Sequence, residues 1–151
     1  MVLLVEPSER GIKMENLTKC ETLVRQAYRR RMEQVRKLWN LYKKDPELDD
    51  DEYGNWTEYG LSFDYVPKGT FKDQKRGYFR FQISYGGPSE EFRFYADPEL
   101  QLTSVEFWYL DWFDGAKVNV TGKNLKLLEE VFTDYRESGI LEHLIRNANG
   151  V

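Results

Sequence analysis

Apolar residues recur at three- and four-residue steps from Leu17 to Tyr42, through Cys20, Leu23, Val24, Ala27, Tyr28, Met32, Val35, Leu38 and Trp39. That spacing draws one broad stripe along a helix, with Arg25, Arg29, Arg36, Lys37 and Lys43 on its other sides. Asn16 is the expected N-cap, Pro46 the stop, and Lys43 and Lys44 suit the C-terminal end of the helix dipole. Ahead of the helix, Met1–Val5 reads as a short strand or a loosely held arm, and Pro7–Lys13 as a loop.

From Tyr59 the period changes to two. Tyr59, Leu61, Phe63 and Tyr65 alternate with Gly60, Ser62 and Asp64; Phe79, Phe81, Ile83 and Tyr85 alternate with Arg80, Gln82 and Ser84. Gly86-Gly-Pro-Ser89 predicts a hairpin connection into a strand carrying Phe92 and Phe94 against Glu91, Arg93 and Tyr95. After the Asp97-Pro98 turn a longer strand runs from Leu102 to Phe113, with Val105, Phe107 and Tyr109 on one side and Glu106, Trp108, Leu110 and Trp112 on the other. Both sides are largely apolar, which predicts a central or doubly covered strand. Asp114-Gly115 reads as the next turn, and Lys117–Val120 as a candidate last short strand. Thr121 is the expected N-cap of a helix with inner face Leu125, Leu128, Phe132 and Tyr135; Ser138-Gly139 breaks it, and Ile140–Asn147 forms a second short helix. The expected fold is a single α+β domain over residues 1–151, with residues 1–15 as a candidate arm, a long N-terminal helix, a four-stranded antiparallel meander and C-terminal helices on one sheet face.

Composition narrows the chemistry. One cysteine among 151 residues excludes an internal disulfide and suits a reducing cytosol. No apolar run approaches the roughly 18 residues of a membrane span, so no membrane partner is expected. One histidine, His143, and one cysteine, Cys20, leave few metal or acid–base options; no metal or cofactor is expected. Cys20 lies on the apolar stripe, where a buried, inert thiol is the default. The acidic Asp45–Gly54 loop lacks the spacing of a calcium loop. Asp111, Asp114, Glu90 and Glu91 are the residues for an all-carboxylate mechanism, but no spacing among them is diagnostic and turns attract Asp for local hydrogen bonding, so the chain is read as non-enzymatic.

The net charge of −4 is unevenly divided: residues 1–44 hold 11 basic and 5 acidic residues, and residues 45–151 hold 11 basic and 21 acidic. An acidic body disfavours non-specific binding to a phosphate backbone. The run Phe107-Trp-Tyr-Leu-Asp-Trp-Phe-Asp114 concentrates five aromatics and two acids, the composition of a protein-binding hot spot. The expected partner-binding set is Trp108, Asp111, Trp112 and Asp114, its acidic rim extended by Glu90 and Glu91. The alternative is a nucleic-acid-binding helix presenting Arg25, Arg29, Arg30, Arg31 and Arg36 to phosphates, with Trp39 or Tyr42 stacking on bases. The width of the helix stripe, with Leu41 outside it, also predicts a homodimer through the long helix.

Residues 77–95, with their Gly-Gly-Pro-Ser hairpin, followed by Val105–Gly115, resemble small uncharacterised proteins carried on phages and plasmids. The resemblance spans residues 59–115 at most and carries no catalytic motif. It implies an accessory counter-defence role of the anti-CRISPR or antirestriction type: an inhibitor or adaptor binding a host protein or protein–nucleic acid complex, such as a CRISPR effector. A toxin-immunity protein is a close variant. The acidic surface is too sparse for a full DNA mimic.

Overall fold

The computed structural model describes residues 2–4 and 19–150; the loop expected at Pro7–Lys13 and the N-cap expected at Asn16 lie outside them. The order is β1 (Val2–Leu4), α1 (Lys19–Lys44), a 3-10 turn (Trp56–Glu58), β2 (Ser62–Val66), β3 (Tyr78–Ser84), β4 (Ser89–Ala96), β5 (Leu102–Asp111), β6 (Asp114–Asn119), α2 (Gly122–Glu137) and α3 (Ile140–Ala148). The fold is α+β, as expected, but β2 to β6 make five antiparallel strands rather than four. The short β1 adds to the β6 edge in parallel.

Two strand boundaries differ from the sequence reading for local reasons. Gly60 takes φ +82°, and a Cβ there would meet Phe81 Cε1 at 2.4 Å, so the chain bends at Gly60 and regular pairing starts at Ser62. The tight connection after β5 is Trp112-Phe113, not Asp114-Gly115. Asp111 pairs with Asp114 and Leu110 with Gly115, which extends the predicted Lys117–Val120 segment back to Asp114 and supplies the fifth strand.

One sheet face takes all three helices. Phe79, Phe92, Phe94, Val105, Phe107 and Val118 are each at most 1% exposed. Phe107 lies 5.7 Å from the Tyr28 ring of α1, and Phe132 of α2 packs on Phe79 and Phe94 at 5.6 and 5.7 Å. Burying each of these rings contributes about 1.5–3 kcal/mol. The stripe of α1 is covered by the chain itself: Cys20, Val24, Ala27, Met32, Val35, Leu38 and Trp39 are buried. The ground for expecting a homodimer through this helix therefore falls away. No described helix is long and apolar enough to cross a membrane. Among the described residues, the opposite sheet face carries no helix.

Candidate functional site

The register places the β3–β4 and β5–β6 connections side by side at one end of the sheet, since Ser89 opens β4 opposite Leu110 near the end of β5. Leu61, whose N–H donates to the Gln82 carbonyl at 2.8 Å, lies at the same end on the outer strand. Seven large apolar side chains are exposed among the described residues, and four of them gather here: Leu61, Tyr85, Trp112 and Phe113. A patch of this kind is what an interaction surface leaves uncovered.

Trp112 is the extreme case. It is 91% exposed, and its φ of +55° lies in the left-handed region, where a bulky L-residue is rare. A two-residue hairpin loop with positive φ at its first position follows the type II′ pattern, which prefers Gly there. The backbone therefore carries strain to hold an indole out in water. Strained residues of this kind cluster at ligand clamps, active sites and switch regions.

The acids expected to rim this surface are spent on the fold. Glu90 is 4% exposed and accepts from Arg31 through both carboxylate oxygens and from Arg30, at 3.0–3.1 Å. Glu91, 3% exposed, receives Arg93 Nε at 2.7 Å. Asp114 accepts the Cys20 backbone N–H at 3.0 Å, satisfying a donor in the first described turn of α1. Asp111 faces Lys19 at 3.5 Å with its side chain only 17% exposed. The expectation of a free acidic rim is thus corrected: Glu90, Asp111 and Asp114 tie the sheet to α1, and Glu91 is paired within β4. Trp108 and Trp112 are also separated, because Trp108 packs against Arg93 on the open sheet face while Trp112 stands in the turn.

The basic helix is similarly engaged. Arg30 and Arg31 hold Glu90, and Arg36 donates to Asn124 at 2.7 Å. Arg25 is half-buried, and only Arg29 among the five stands exposed without an ion pair. Trp39 is 4% exposed and donates its indole N–H to Glu130 at 3.0 Å, so it presents no stacking face. Cys20 is fully buried, and burial together with the neighbouring Asp114 carboxylate pushes its thiol up to about 11.

The open face holds a second constellation that sequence reasoning passed over. Tyr78, Arg93, Trp108 and Lys117 form a diagonal row across β3, β4, β5 and β6. The Arg93 guanidinium lies 4.7 Å from the Tyr78 ring and 3.8 Å from Trp108, and Lys117 stands 5.5 Å from Trp108. Beside the row, Glu106 accepts from the Tyr95 hydroxyl, the Trp108 indole N–H and the Lys117 ammonium. Burial works against the Glu106 charge, but these donors outweigh it and hold its carboxyl below the ordinary carboxylate range. The signal was present in the sequence, since Arg93 and Glu106 occupy the polar phase of alternating strands.

Compared with family models, curated sequences and solved structures, the chain has no significant match.

Proposed function

We propose that this chain is a non-enzymatic protein-binding factor, an inhibitor or adaptor that docks a protein partner through the aromatic end of its sheet. One observation carries the reading: Trp112 is held 91% exposed on a left-handed backbone that Gly would occupy more cheaply. Trp and Tyr are the residues that most often dominate binding energy when a partner closes over them, and Tyr85 stands at the same end, 77% exposed. The non-enzymatic reading is supported by Asp111, Asp114, Glu90 and Glu91, whose carboxylates are bound to cations or to a backbone N–H. The resemblance over residues 59–115 supports a host defence complex handling nucleic acid, such as a CRISPR effector, as the partner; immunity to a toxin is the same binding activity turned on another target.

The test pairs wild type with Trp112→Gly as bait in nuclease-treated bacterial lysate. A protein held by wild type and lost from the variant, with both baits equally folded, is the expected result. Equal capture by both baits removes Trp112 from the interface. Expressing the chain in cells with active CRISPR interference then tests the counter-defence role: interference should fall, and undiminished interference rules that target out.

A further inference from the structure

Beyond the aromatic end, the open sheet face bears a groove of about 530 Å³, within the range of about 300–1,000 Å³ typical of ligand pockets. Its floor is the Tyr78–Arg93–Trp108–Lys117 row, and its wall is the β2–β3 connection with Lys72, Lys75 and Arg76. That connection is shaped by its own bonds: Gly69 N–H donates to the Gln74 carbonyl at 3.2 Å, and Phe71 N–H to the Gln74 side chain at 3.0 Å. We propose that this groove binds single-stranded nucleic acid, with bases lying on the layered guanidinium and aromatic planes and phosphates on the cations of the wall.

Three observations converge on that ligand. The first is charge. On a chain of net charge −4 the groove gathers five cations; Arg93 and Lys117 are paired with Glu91 and Glu106, which leaves Lys72, Lys75 and Arg76 against Asp73 alone. Lys72 and Lys75 are exposed, and Arg76 adds only a 3.4 Å contact to Thr103 while lying 4.3 Å over the Tyr95 ring. The second is shape. Bases stack on aromatic rings and on arginine planes, and an open antiparallel sheet lays such platforms in a row at strand spacing. Arg76 supplies such a plane, exposed and lying 4.3 Å over the Tyr95 ring at the edge of the groove. The third is an unsatisfied group. Tyr78 is only 2% exposed, yet its hydroxyl has no hydrogen-bond partner among the described residues. A buried hydroxyl without a partner is costly, and a base edge or phosphate oxygen in the groove would satisfy it. The helix Arg residues play no part, and Trp112 lies outside the groove.

The experiment is fluorescence anisotropy of a short fluorescein-labelled oligothymidylate with the full chain at 50 and 200 mM salt. About three phosphate contacts on a single strand give a salt slope of about −2, so affinity should fall roughly twentyfold over that range. Lys72→Glu combined with Lys75→Glu should abolish most of that dependence and weaken binding at least tenfold, with an unchanged melt. Tyr78→Phe should cost about fivefold in affinity, one hydrogen bond's worth, while leaving stability equal or higher. Competition by thymidine monophosphate places the affinity in one stacked nucleotide; failure of the mononucleotide to compete places it along the strand, and both support the proposal. No binding at 50 mM salt overturns it. Competition by inorganic phosphate as effective as by the mononucleotide overturns it too, as does unchanged binding by the Lys72/Lys75 variant.

Discussion

Replacing Trp112 with Gly separates a residue kept for binding from one kept for folding, because the two roles predict opposite signs. Trp112 is 91% exposed, so losing its side chain forfeits little burial. Its φ of +55° costs an L-residue about 1–2 kcal/mol that Gly does not pay. Against this, Gly gives the unfolded chain extra freedom, which destabilises by about 0.4–1 kcal/mol. The net expectation is a folded state unchanged or more stable by up to about 1.6 kcal/mol, or a Tm between unchanged and about 6 °C higher for a chain of this size. Partner affinity moves the other way: losing a hot-spot Trp costs about 2 kcal/mol or more, close to thirtyfold in Kd. Thermal melts and quantitative capture measure both. A Tm that falls by several degrees would refute the reasoning, since it would mean the indole braces the hairpin.

The remaining predictions concern the groups that hold the surface in place. Arg31→Ala should destabilise by about 3 kcal/mol in urea titration, because it strips the bidentate partner from buried Glu90, while Arg29→Ala should fall within about 0.5 kcal/mol. Asp114→Ala should cost about 1 kcal/mol through the lost acceptor for Cys20 N–H, with protection of that amide in hydrogen exchange reduced. Because the Glu106 carboxyl is depressed when folded, its contribution is fully present above its unfolded value near 4.5 and is lost as pH falls through the folded value. Glu106→Gln should therefore flatten the acid limb of stability against pH. Cys20 should resist thiol reagents at pH 8 until the chain unfolds, since it is buried and its thiol is pushed up to about 11.

Sequence periodicity located the helix stripe from Cys20 to Trp39 and the core phase of Phe79, Phe81 and Ile83, because burial on one face writes itself into spacing. It misplaced the last hairpin for a tertiary reason. Asp-Gly is a strong local turn signal, yet Asp114 is needed as a strand residue whose carboxylate meets a helix N–H 94 positions earlier. The acids of the candidate site were legible as residues but not as partners: the Arg31–Glu90 pair spans 59 positions, and no local pattern encodes it. Trp112 was placed by composition and alternation on a strand face with Trp108 and Leu110; its exposure comes from the register that ends β5 one residue before it. The open-face row is a diagonal across four strands, visible only once their pairing is known.

Photo-crosslinking tests the docking surface most directly. A photoreactive aromatic amino acid in place of Trp112, irradiated in host cells, should give one discrete protein adduct that is absent when the same group replaces exposed Glu142 on α3. Identical adduct patterns from the two positions, or no adduct at Trp112, would contradict the account.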